Sequence, residues 1–360
     1  MVALGGRLGD RFGGVTTFRI GVLIFFLASV GCGLAPAGSW GEFVIIAFRA
    51  LQGAGAALMM PVSASIVIAA FPAAERGRAM AIYAGISQIF LAVGPLLGGF
   101  LTQTVSWRAV FWLNVPVGIA ALVLVQIARP ANVRTPGGPI RSRDVVLLVL
   151  GVGLTVLAIQ EASRWSWASP LTWSVLIVGL VLAGLFVRAQ IDAESPLVNV
   201  RLLSRPAFLA DNVVMGLVQF GLLPVVLFNS LYLQDVLGLS PIMTGLGILP
   251  VILPLTVAAQ IGGRWFDRYG VRRPVLIGLS ICTVGLIAWT AALPTLSYPW
   301  QLPGMILTGF GLGLTISPTN TDALSRVTQA ERAQGSGLIQ TIRQLGGTVG
   351  VAVVSAVVLG

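Results

Sequence analysis

The side chains able to do chemistry are few and narrow in kind. All 22 basic residues are Arg, with no Lys and no His, and they stand against 12 acidic residues. Without Lys there is no phosphate-loop lysine, which argues against an ATP-driven pump of that type. Without His the chain lacks the commonest metal ligand and the commonest proton carrier near neutral pH. Cys32 and Cys282 both fall inside apolar segments and read as small core residues rather than a disulfide. No metal-ligand cluster, nucleophile–base set or cofactor loop emerges. The expectation is therefore no metal, no cofactor and no catalytic residue: not an enzyme. What remains is the chemistry of Arg, carboxylates and side-chain amides, namely ion pairs, hydrogen bonds and proton binding.

One stretch concentrates that chemistry. Gly5-Gly6-Arg7-Leu8-Gly9-Asp10-Arg11-Phe12-Gly13 returns in near copy as Gly262-Gly263-Arg264-Trp265-Phe266-Asp267-Arg268-Tyr269-Gly270. Asp10 and Asp267 are 257 residues apart; Gly53-x-Gly55, Ala74-Glu75-Arg76 and Gly94 recur at 256, as Gly309-x-Gly311, Ala330-Glu331-Arg332 and Gly350. Four ordered matches in one register indicate two related halves. Each charged copy reads as a tight loop between apolar segments, residues 5–17 in the first case, with Gly13 and Gly270 permitting the turn. Asp10 and Asp267 suit a helix N-terminus, where unpaired N–H groups and the macrodipole are positive. The expected partners are the span starting after Glu331 for Asp10 and the one starting after Glu75 for Asp267. Gly6, Arg11, Gly263 and Arg268 complete the two gating candidates.

Arg49 is the sharpest single residue. It lies seven residues beyond Glu42, roughly 10 Å along a helix, and so falls within an apolar zone. The repeat offset pairs it with Met305, so the halves keep their glycines and differ at this charge. A guanidinium there stays charged and needs a cavity or partners. Gln88, Gln219, Gln260, Asn320, Gln340 and Arg343 are further polar groups within spans, either lining a central cavity or bonding neighbouring helices. None of the acidic residues falls clearly at mid-span. Asp211 and Asp322 sit near one set of span ends, and Glu42, Glu161 and Asp235 near the other.

The elements that hold these residues are membrane spans. The chain is 56% hydrophobic and 9% charged, against about 25% charged in a soluble domain. Spans read at 18–36, 42–70, 79–104, 109–128, 145–161, 171–188, 207–233, 242–261, 274–293, 301–323 and 333–358, eleven full spans after a remnant at residues 1–4. Arg129–Asp144 is the longest polar stretch and reads as a linker. With the first charged stretch placed in the cytoplasm, 18 arginines fall on the cytoplasmic side and two, Arg108 and Arg164, on the other. That split is a strong orientation signal, with the N-terminus inside and the C-terminus of this chain outside. Trp40, Trp107, Trp165, Trp167 and Trp300 suit an outer aromatic belt. The net charge of +10 is thus a matter of topology, and no nucleic-acid partner is expected. The fold class expected is an all-α integral membrane bundle of two pseudo-symmetric halves. Residues 1–128 form the N-terminal half, 129–204 a loop with an inserted two-helix hairpin, and 205–360 the C-terminal half.

Gly6-Arg-Leu-Gly-Asp10-Arg11-Phe-Gly13 resembles the loop signature of the major facilitator superfamily. Arg49-Ala-Leu-Gln52-Gly53-Ala-Gly55 resembles its fourth-span signature, and Gly94-Pro95-Leu-Leu-Gly98-Gly99 the fifth-span signature of its antiporters. Trp107-Arg108 through Phe111-Trp112-Leu-Asn114-Val-Pro116, with the extra hairpin, resembles the fourteen-span drug:proton antiporter branch. Departures stand at Gly14-Val15, where the family carries a basic residue, and at Phe90, where it carries Gly. The resemblance implies a secondary active transporter of the bacterial inner membrane, monomeric, working by alternating access. It would expel amphipathic, often cationic small molecules in exchange for protons. Pro95 would bend its helix and Gly94, Gly98 and Gly99 let a neighbour approach, sealing the path. Arg49 would tune a proton-carrying carboxylate. The resemblance also implies that the first span, most of the second and the last are missing here, the first being the expected place for that carboxylate. Two alternatives stay open: a transporter of another small solute, and a non-transporting truncated fragment.

Overall fold

In a bilayer the backbone has no water to bond, and a helix satisfies it internally. The computed structural model describes residues 2–72, 75–132, 134, 141–194, 196–328 and 331–358, and shows helices with no strand among them. The order is α1 Val2–Phe12, α2 Gly14–Gly33, α3 Ser39–Ala70, α4 Arg76–Thr104, α5 Ala109–Ala128, α6 Ser142–Trp165, α7 Pro170–Ile191, α8 Pro206–Leu231, α9 Pro241–Tyr269, α10 Arg272–Ala292, α11 Tyr298–Ser325 and α12 Arg332–Val358. A 3-10 turn at Val200–Ser204 precedes α8 and a π-helical turn at Tyr232–Val236 extends it. Pro at the first position opens α7, α8 and α9, where its missing N–H costs nothing. From α2 to α12 there are eleven helices of 20 to 32 residues. Among the described residues, eight are long and apolar enough to cross a membrane on composition alone. Leu27, Ile46, Leu124 and Ile287 are among many large apolar side chains facing outward, as lipid contact requires. The chain is a multi-pass membrane protein.

The charged stretch departs from the expected loop at 5–17. Helix α1 continues to Phe12, and Gly13, at φ 95°, is the break before α2. Gly13 N–H still donates to Gly9 C=O at 2.9 Å. Glycine and charge suggested a loop, but packing supplies what helix propensity lacks: Gly5 lies against the backbone of Ala57, and Gly9 against Val62. The second copy repeats the pattern, with α9 helical to Tyr269 and Gly270 at φ 68°.

The chain divides into two compact units. The first comprises Met1–Ile89, Phe100–Gly151 and Leu182–Asn199. Within it α1 and α2 pack on α3, and α2 also packs on α5. The second comprises Phe90–Gly99, Val152–Val181 and Val200–Gly360. There α9 and α10 pack on α11, and α8 packs on α12 and α11. Helices α6 and α7 come close where a Cβ on Gly151 would stand 2.6 Å from Ala183 N. The two units share one device at a close helix crossing. A Cβ on Gly55 of α3 would stand 2.7 Å from Gly21 C=O of α2, and a Cβ on Gly278 of α10 would stand 2.7 Å from Gly311 C=O of α11. Gly21 and Gly55 occupy the repeat positions of Gly278 and Gly311, so the internal repeat of the sequence is a repeat of helix crossings. Gly53, by contrast, has open space where its partner Gly309 meets Val251.

Candidate functional site

Three helices of the first unit converge on one polar network. On α3, Arg49 and Gln52 share a face, and Arg49 Nη1 donates to Gln52 Oε1 at 3.0 Å. Gln52 Nε2 donates in turn to Ser29 Oγ of α2, and Asn114 Nδ2 of α5 donates to the same oxygen at 3.2 Å. The guanidinium lies 5.4 Å from the ring centroid of Phe111, also on α5, in cation–π range. Gln52 and Ser29 are buried, while Arg49 is exposed. The arginine is therefore not enclosed, as its place in an apolar run suggested. It is a fixed cation on open space, steered by a buried amide and a ring, with no carboxylate in ion-pair reach among the described residues. Met305, its repeat partner, is fully buried. Ser29 as the hub was not foreseen. Asn114 and Phe111 appeared only as part of a family signature, and their shared spacing on α5 was the available signal.

The first charged turn has its own anchor. Val15 N donates to Asn132 Oδ1 at 3.1 Å and Asn132 Nδ2 donates to Thr16 Oγ1 at 2.9 Å. The segment after α5 thus caps α2 from outside, supplying an acceptor to an N–H the helix cannot satisfy. Gly13 leaves room for it: a Cβ there would overlap the Asn132 side chain. Gly6 has only Pro61 nearby, and Arg11 is exposed beside the Phe12 ring. The side chains of Asp10 and Gln88 lie outside the described ones. In the second copy Gly263 faces Ser317 Oγ, and Asp267 and Arg268 are exposed.

The Gly-Pro motif of α4 falls in the Phe90–Gly99 segment of the second unit. Gly99 lies against the backbone of Pro241 and Gly245 against that of Pro95, so this segment and the start of α9 touch backbone to backbone. Gly94 and Gly98 face open space. Among the scattered polar residues, Gln260 is exposed and Asn320, Gln340 and Arg343 are partly buried. Gln219 buries an Oε1 without a partner. No hydrogen bond joins any of these to another among the described residues.

A second network, at the Arg205 end of α8, was missed as a site. Arg326, at the end of α11, holds Asp322 through Nε at 2.7 Å and Nη2 at 2.6 Å. Asp211 of α8 places Oδ2 3.3 Å from the same Nε. Beside them Arg205 binds Glu331 bidentately, at 2.9 and 3.2 Å, and donates to Arg326 C=O at 3.3 Å. Thr328 N–H and Oγ also donate to Glu331. Arg205 first, then Thr328, holds the Glu331 carboxyl below its ordinary value of 4.5. The i, i+4 spacing of Asp322 and Arg326 was visible in the sequence; the approach of Asp211 from another helix was not.

Comparison with known proteins follows this geometry. The model described as "Major Facilitator Superfamily" matches residues 1–351. The chain is similar to the multidrug resistance protein Stp of Mycobacterium tuberculosis, 31% identical over 353 residues, covering 97% of this chain and 64% of that protein. It is similar to the tetracenomycin C resistance and export protein of Streptomyces glaucescens, 32% identical over 355 residues, covering 97% and 64%. The chain thus spans a little under two thirds of these relatives. Its fold is similar to the crystal structure of a D-xylose–proton symporter, with a TM-score of 0.65 at 17% identity, covering 99% of this chain and 75% of that one.

Proposed function

Starting from a chain that belongs to the Major Facilitator Superfamily, we propose that the protein is a secondary active transporter that expels drugs in exchange for protons. Alternating access is the mechanism this reading entails, with a site near the membrane midplane served from either side. The observation that carries it is identity of 31% and 32% to proteins named for multidrug resistance and for tetracenomycin resistance and export. The substrates inferred are amphipathic, often cationic small molecules, with protons as the coupled ion, and the protein is read as a monomer in the inner membrane. The halves assigned to this work are residues 1–128 and 205–360, with 129–204 as linker and inserted hairpin. The arginine distribution supports an orientation with both charged turns in the cytoplasm. Asp10 and Asp267 are read as latches there, and Gly94, Pro95, Gly98 and Gly99 as the seal in α4.

Arg49 is assigned to coupling. A fixed positive charge favours the ionised form of a nearby acid, so proton binding there competes with substrate. Gln52, Ser29, Asn114 and Phe111 hold the guanidinium in place for that task. The experiment is the pH dependence of drug efflux in Arg49→Ala and Arg49→Lys. Ala is expected to abolish proton-coupled efflux, and Lys, which keeps charge but loses the planar fork, to be intermediate at best. A wild-type pH profile in Arg49→Ala removes the assignment.

A further inference from the structure

The ion network between α8 and α11 holds more carboxylates than its arginines can neutralise. Arg205 is committed to Glu331 through both terminal nitrogens. Arg326 gives Asp322 both its Nε–H and an Nη2–H. Asp211 is the remainder: 7% exposed, 3.3 Å from an Nε–H already donated elsewhere, its Oδ2 without a hydrogen bond. Among the described residues, Arg326 is the one cation that acts on it. The turn before α8 supplies Arg201, which has a partner of its own, and Arg205. The turn after α11 supplies Glu331. On α12, Arg343 lies further along, beside the level where Ile342 meets Gly216. On α9, Arg264, Asp267 and Arg268 follow the level where Gly262 meets Pro318 and Gly263 meets Ser317 of α11, so they stand at the same end as Asp322, but all three are exposed and screened by solvent. Five charged groups, three acidic and two basic, leave one negative charge over, on a carboxylate that is more than nine-tenths buried.

A buried carboxylate beside a second carboxylate and without its own cation favours taking up a proton. Protonation needs no bond broken: the proton adds to an Asp211 oxygen lone pair, and the new O–H is a donor facing the acceptor-only carboxylate of Asp322. Loss of that proton sets two like charges between α8 and α11, so occupancy by a proton is also a mechanical signal between these helices.

We propose that Asp211 is a proton-binding residue of the transport cycle, exchanging its proton at the Arg205 end of α8, with Asp322 and Arg326 as its positioning pair. This rests on the proton-coupled reading above, under which that end faces the cytoplasm, where an antiporter discharges its protons. Arg326 is bound to Asp322 through two nitrogens, and Asp211 alternates.

The test combines a direct and a functional readout on the protein in detergent and in liposomes. Infrared difference spectra across a pH step should contain a carboxyl band that Asp211→Asn removes and Asp211→Glu retains at a shifted position. Gradient-driven drug transport should be lost in Asp211→Asn, drug–drug exchange without a gradient should fall less, and Asp211→Glu should restore transport with a displaced pH profile. Arg326→Gln, which takes the cation away from both carboxylates, should move the same band and profile. An unchanged carboxyl band in Asp211→Asn, or a wild-type pH profile, overturns the assignment; so does failure of Asp211→Glu to recover any gradient-driven transport although it folds. If the wild type transports no drug, the functional reading fails instead, and the infrared band still decides whether Asp211 binds the proton.

Discussion

At the scale of single residues the protein works with arginine and little else, and the partners decide what each arginine does. Arg49 is steered by Gln52 and Phe111 with no carboxylate near among the described residues; Arg326 is divided between Asp322 and Asp211; Arg205 is spent on Glu331. The last pair gives a pH prediction with a definite sign. Glu331 has its carboxyl held below 4.5, so its contribution to stability is fully present above that value and fades as pH falls through the lowered one. The pair is partly solvent-exposed, which limits it to about 1 kcal/mol or less. Glu331→Gln should therefore lower the melting temperature in detergent by no more than about 2 °C at pH 7, and the gap to the wild type should close in strong acid. A gap that persists unchanged at acid pH would mean the carboxylate charge is irrelevant there. How far such residues can be read from a chain differs among these three. Arg49 stands out because a charge in an apolar run is conspicuous, and Gln52 came with the family signature around it. Asp211 does not, because it and Asp322 are 111 residues apart in the sequence and become neighbours only when α8 meets α11.

At the scale of helices, the repeat is a repeat of glycines at turns and crossings. Gly13 and Gly270 both hold positive φ, and Gly21–Gly55 and Gly278–Gly311 both bring backbones together. The turn glycines separate in a test. An L side chain at either position is strained by about 1–3 kcal/mol. At Gly13 it would also displace Asn132 from the start of α2, whereas Gly270 has nothing within 4 Å. Gly13→Ala should therefore destabilise the protein more than Gly270→Ala in thermal melts, and the difference should shrink when Asn132→Ala is added. Equal losses without any effect of Asn132→Ala would show that the side-chain contact is immaterial. Periodicity and length made the helices themselves legible, since a bilayer leaves few alternatives for a long apolar run. The continuation of α1 through Gly5 and Gly9 was not legible. It depends on α3 lying against those glycines, and local propensity speaks against it.

At the scale of the whole molecule, eleven long helices follow the first charged stretch among the described residues, and the proposed reading, in which all of them cross, puts the two ends of the chain on opposite sides. Reporter fusions at the two termini should report opposite compartments, with the N-terminal one cytoplasmic; the same compartment for both would require that one long helix does not cross. Family membership rests on the match over residues 1–351, and the proposal of drug export on the resemblance to named resistance proteins. The coupling of export to protons is the central claim. It is met most directly in liposomes carrying the purified protein, by following a fluorescent amphipathic cation under an imposed pH gradient. The account predicts that the compound accumulates against its own gradient, in the direction opposite to proton flow, and that accumulation collapses when an ionophore dissipates the pH difference. Equal movement with and without the pH gradient would contradict it.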